Sequence, residues 1–163
     1  QAQLRLEQAK CLSRLQQDGA ATAILIAMAN KKDVNSTPAL ALLGSIKLQS
    51  GQTEFGHRIL QRALEQNPAA EWPQRGEAEA DLGLAYLMQN DEAAGLRWLH
   101  SAQRRFEAAG KHEMLDKSLW NEAQYYEHNG KHRADAAALA DRLRTLEISN
   151  TPIAGVTPAT STR

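Results

Sequence analysis

With 163 residues, the chain can form one domain with a proper core but not two ordinary ones. Nineteen basic and nineteen acidic residues cancel, which argues against a dedicated binder of nucleic acid or anionic membrane, since both need a net basic face. The single cysteine, Cys11, excludes an internal disulfide and a cysteine-rich zinc site.

Leu, Ala, Gln, Glu and Arg are abundant and Val and Ile scarce, so helix is favoured over sheet. From Gln3 to Gln17, Leu4, Leu6, Ala9, Leu12 and Leu15 recur at helical spacing, and Asp18-Gly19 is read as the end of that helix. Cys11 falls inside this pattern and is expected to be a small buried residue. Ala20 to Ala29 reads as a second, very apolar helix, half the roughly 20 residues needed to cross a membrane. Asn35-Ser36-Thr37-Pro38 combines a hydroxyl cap with proline at the first helical position and starts a third helix, to about Gln49. Helix four spans Thr53 to about Gln66, with Phe55, Ile59, Leu60, Ala63 and Leu64 on one stripe; Asn67-Pro68 stops it. A linker holding Trp72-Pro73 leads to helix five, about Gly76 to Gln89. Helix six runs from Glu92 to about Ala109, helix seven from Lys111 to about Asn129, and helix eight from about Arg133 to Ile148. Residues 149–163 are rich in Pro, Thr, Ser and Ala without helical period, so the domain is placed at 1–148 and a tail after it.

Turns at Gly19, Gly51, Asn90 and Gly130 are 32, 39 and 40 residues apart, and recurrence on this scale means stacked helix pairs. Leu43-Gly44, Gly51, Gly56, Leu60, Ala63 and Pro68 form one unit. Leu82-Gly83, Tyr86, Gly95, Leu99 and Ala102 form the next, with Glu107 where proline would fall. Leu119, Ala123, Tyr126 and Gly130 mark a later unit, and Leu12, Leu15 and Gly19 an earlier, weaker one. Carried by these residues, the chain resembles the tetratricopeptide repeat family over about residues 3–148. The resemblance implies an all-α solenoid of about four helix-turn-helix repeats in a right-handed superhelix, with an extended C-terminal tail.

The resemblance also implies that the first helix of each pair lines a concave groove. Those positions are Ala41, Ser45 and Leu48 in one unit, Ala80, Leu84, Leu87 and Met88 in the next, and Trp120, Gln124, Glu127 and His128 after that. The lysine and asparagine cluster with which co-chaperone members grip a terminal carboxylate has no counterpart here. The expected function is therefore a non-catalytic scaffold or adaptor that binds a peptide or partner protein, anchored on Trp120 and Met88. The alternative is a self-assembling subunit, a head-to-tail oligomer or filament. Its open ends and tail would contribute Ile24, Leu139, Leu143, Ile153 and Val156. Trp98 is expected in the packing between helices, while Trp72 either tucks under its loop or meets a partner.

No phosphate loop, nucleophile elbow or acidic pocket appears, so neither an enzyme, a cofactor nor a metal site is expected. His128 and His132 are four apart, but Asn129-Gly130 intervenes and the pair reads as a solvated turn. A first residue other than methionine is consistent with signal-peptide removal, and export is the expectation, with the cytoplasm as alternative.

Overall fold

The computed structural model describes residues 1–31, 33–65, 68–129 and 133–150. The chain is all-α: among the described residues there are eight helices and no strand. They are α1 (Ala2–Arg14), α2 (Asp18–Ala29), α3 (Ser36–Gln49), α4 (Thr53–Glu65), α5 (Arg75–Met88), α6 (Glu92–Ala108), α7 (His112–Asn129) and α8 (Arg133–Asn150). None is long and apolar enough to cross a membrane among the described residues. The chain divides into two compact units, Gln1–Ser118 and Leu119–Arg163, with the division inside α7.

In the first unit each helix from α1 to α5 packs on its successor, and α3 also packs on both α1 and α5. Four helices end in the same way. Gln16, Gly51, Asn90 and Gly110 take positive φ of 58°, 79°, 63° and 64° after α1, α3, α5 and α6. At each end two amides turn back: Gln16 and Gln17 donate to the carbonyls of Ser13 and Leu12, and Gly51 and Gln52 to those of Leu48 and Lys47. Asn90 and Asp91 donate to Leu87 and Tyr86, and Gly110 and Lys111 to Glu107 and Phe106. This double bond satisfies the last carbonyls and reverses the chain within a few residues. The first turn therefore sits at Gln16, not Gly19 as expected. Gly19 lies inside α2, where Gln17 accepts from the Ala21 amide and opens the helix early. Pro38 likewise comes third in α3 rather than first. The Asp33 carboxylate accepts from the Asn35 amide at 2.8 Å and starts the turn sooner, and proline is tolerated because first-turn amides have no intrahelical acceptor.

Two glycine pairs set the closest helix approaches. A Cβ on Gly44 would stand 2.7 Å from the Leu60 Cγ and 3.1 Å from the Gly56 carbonyl oxygen. One on Gly83 would stand 2.9 Å from both the Leu99 Cγ and the Gly95 carbonyl oxygen. Gly56 and Gly95 meet Leu48 and Leu87 in turn, so α3–α4 and α5–α6 are two copies of one packing arrangement. Around them lie two cores. Leu6, Ala9, Ala21, Leu25, Met28, Ala39, Leu43 and Ile46 join α1, α2 and α3. Ala41, Leu60, Ala63, Leu64, Ala78 and Leu82 join α3, α4 and α5, with Trp72 and Trp98 packed against them. The helix α3 thus serves both cores, and Trp98 takes the packing role expected of it.

Some residues depart from their expected faces. Cys11 is exposed rather than buried, because α1 turns Ala2, Leu6, Ala9 and Leu12 inward and Cys11 lies two residues, about 200°, round from Ala9. Leu4, Leu15 and Phe55 are exposed too. On α4 the inward stripe is instead Gly56, His57, Leu60, Ala63 and Leu64. His57 meets the Tyr86 ring edge-on at 4.5 Å, and the Gln89 side-chain amide lies 2.8 Å from its Nδ1.

Candidate functional site

The first unit carries a groove with α3 as its floor. Pro38, Ala41, Leu42, Ser45, Ile46 and Gln49 recur at three- and four-residue steps and so form one stripe of that helix. One wall is α1, through Leu6, Lys10, Ser13 and Arg14. The other is α5 with the loop before it, through Trp72, Gln74, Glu77, Ala78 and Asp81. The cavity measures about 210 Å³.

The loop bearing Trp72 is fixed by charge. Glu79 and Arg75 are 1% and 5% exposed and pair at 2.8 Å. Arg105 of α6 donates its Nε to both Glu79 oxygens at 3.0 Å, and its outer nitrogens to Glu71 at 2.7 and 2.9 Å. Arg75 also donates to the Ala70 carbonyl and holds its guanidinium 5.4 Å from the Trp72 ring centroid. The Arg105 hydrogen bonds hold the Glu71 carboxyl below its ordinary pKa of 4.5. Lys111 adds a bond to the Pro73 carbonyl and lies 3.8 Å from Glu77. Trp72 therefore tucks against the core, as one of its two expectations had it, and also lines the groove.

The walls differ in charge. On α1, Lys10 and Arg14 lie one turn apart, with Glu7 3.5 Å from Lys10. On α5, Glu77 and Asp81 lie one turn apart. Burial raises the Asp81 pKa above its ordinary 3.8, and nearby Glu77 adds to the rise. The Ser45 hydroxyl and the Lys117 charge oppose it. Among the described residues no ion pair reaches Asp81 within 4.0 Å.

Of the residues expected on the concave face, Ala41 and Ser45 lie in this groove. Ala80 and Leu84 are half-buried on α5, and Met88 is 69% exposed at its end. Leu87 does not reach an open face. It is 5% exposed, and its side chain fills the space above Gly95 between α5 and α6. In the second unit Trp120 is 55% exposed, and Gln124 donates to Glu127 at 3.2 Å. Ile24 is half-buried against the first core, and Leu139 and Leu143 are half-buried on α8. Ile153, Val156 and His132 lie outside the described residues. Among the described residues no three His, Cys, Asp or Glu side chains are grouped as metal ligands would be.

Sequence reasoning did not single out Lys10, Arg14, Glu77 or Asp81. The available signal was two i, i+4 like-charged pairs, each on a helix whose neighbours at the same spacing are small or apolar. No family model, curated protein or solved structure matches the chain.

Proposed function

We propose that the chain is a non-catalytic interaction scaffold, built as a right-handed solenoid of tetratricopeptide-type repeats, that binds a peptide segment of a partner protein. The observation that carries this reading is the groove over α3, walled by α1 and α5 and lined by backbone-proximal Ala41 and Ser45 as well as by Trp72. Alternate helices α1, α3 and α5 packing on one another is the arrangement such repeats need. The duplicated Gly44–Gly56 and Gly83–Gly95 contacts supply a repeated packing unit. Ala80, Leu84 and Met88 extend the proposed surface along α5; within the second unit, Trp120, Gln124 and Glu127 are proposed contacts on the repeat resemblance alone.

Selection of random peptides on the full chain, followed by titration of the winners, tests the proposal. Gln49 is exposed at the groove floor, so Gln49→Trp fills the cavity without disturbing a core. It should weaken the selected peptides about tenfold, the effect of losing one well-seated side chain. Unchanged affinity would remove the groove from the interaction.

Self-assembly is the second reading, favoured by the exposed apolar side chains Leu4 on α1, Leu15 just past its end and Ile26 on α2.

A further inference from the structure

We infer that the groove between α1 and α5 selects an extended segment that sets an arginine or lysine side chain against Asp81 and an acidic side chain toward Lys10 and Arg14. This rests on the groove being a peptide site and adds the charge pattern of its occupant.

Size decides first. About 210 Å³ is smaller than the roughly 300–1,000 Å³ of sites that enclose a small molecule. It suits side chains projecting from a segment that runs along the groove.

Charge decides next. A protein with no net charge places acids on one wall of a single groove and bases on the other. An occupant of one sign would be drawn to one wall and repelled by its opposite. A polyanion such as nucleic acid, or an anionic lipid surface, fits poorly for that reason, and so does a polycation. A segment with both signs meets both walls.

Asp81 fixes the orientation. Its carboxylate gives up water at the groove wall, with the neutral Ser45 hydroxyl beside it. Lys117 acts on it only through space. An ionised carboxylate held this way is costly until a counter-charge arrives. A guanidinium or ammonium entering along Trp72 supplies that charge, and its alkyl stem lies on the apolar floor of Ala41 and Leu42. Glu77 differs, since Lys111 already stands near it, so Asp81 is the principal anchor.

The test is an amide NMR titration of the full chain with three capped peptides. These are Ala-Ala-Arg-Ala-Glu-Ala-Ala, the same with Glu in place of Arg, and the same with Ala in place of the original Glu. The first should shift the Ser45 and Asp81 amides and the Trp72 indole saturably, and bind about tenfold tighter than the second. Asp81→Asn should weaken the first by a similar factor with unchanged helical circular dichroism. Arg14→Glu, at an exposed position, should weaken the first peptide and not the third. Equal binding of the first two peptides at the groove, or indifference to Asp81→Asn, overturns the charge assignment and leaves the peptide groove standing. If no peptide shifts groove resonances at about 10 mM, beyond the roughly millimolar range of weak contacts, both readings fall.

Discussion

At the scale of single residues, the chain carries two local costs that substitution can relieve. Gln16 sits at φ 58°, a conformation that costs a side chain about 1–2 kcal/mol. Glycine avoids this cost but loses about 0.5–1 kcal/mol in backbone entropy. Gln16→Gly should therefore raise the urea midpoint, with a net gain of roughly 0.5 kcal/mol, and Asn90→Gly should gain less because Asn tolerates the region better. A lower midpoint for Gln16→Gly would contradict the turn assignment. Asp81 is the second cost. Its pKa is raised in the fold above 3.8, chiefly by burial, so in the window between 3.8 and that raised value the folded state holds a proton that the unfolded chain releases, and above it the ionised carboxylate costs stability. Its contribution to stability is full below pH 3.8 and is lost as pH rises through the folded pKa. The groups facing it are Glu77, Ser45 and Lys117, with Lys10 and Arg14 across the groove. Asp81→Asn should be more stable than the parent at neutral pH, with the gap closing below pH 3.8 in pH-resolved denaturation. A parent more stable at pH 7 would mean the carboxylate is structurally paired. Stability given up at an unpaired charge is the cost that the proposed role of Asp81 in the groove would explain.

At the scale of elements, helix packing is held by two different devices. The Gly83–Gly95 contact sets backbone against backbone, so a methyl at Gly83 cannot be accommodated by rotating a side chain. Gly83→Ala should cost about 2–3 kcal/mol, the upper part of the range for overpacking. A thermal melt within a degree of the parent would refute the close approach. The charged clamp works by burial. Glu79 neutralises Arg75 where water is excluded, so Glu79→Gln should cost roughly 3 kcal/mol, whereas Glu71→Gln, at an exposed partner of the same Arg105, should cost under about 1 kcal/mol. Equal effects in denaturant would show that the buried pair is not the clamp. The helices themselves were legible because their signals are local: apolar residues at three and four steps, with turn residues between them. Even so, Gly19 misled, since a glycine marks a turn only when the backbone needs its freedom, and Gln16 takes that conformation instead. The groove was less legible. Lys10 and Arg14 read on α1 alone as solvated charges, and Asp81 as a polar residue beside Leu82-Gly83. Their meeting across α3 depends on which helix faces become walls, and that is set by packing between elements rather than by any one helix.

At the scale of the whole molecule, charge and exposed apolar surface act together on association. The chain has no formal net charge and a pI near 7.2, so at neutral pH copies approach without long-range repulsion. Leu4, Leu15 and Ile26 stand exposed on or just past the first two helices, and apolar side chains there favour contact whenever repulsion is absent. The two effects separate by experiment. Moving the pH about two units either side of the pI restores net charge and should reduce association through repulsion alone. Replacing the three residues by lysine at pH 7.2 removes apolar surface and adds charge at the contact. If the N-terminal helices are the contact, sedimentation velocity should show concentration-dependent association of the parent at pH 7.2. The triple lysine variant should stay monomeric, while the same three lysines placed at Gln3, Gln8 and Gln52, already polar and exposed, should have a smaller effect. A parent that sediments as a monomer at every concentration at pH 7.2 would end the self-assembly reading. It would leave the groove as the one interaction surface proposed for the chain.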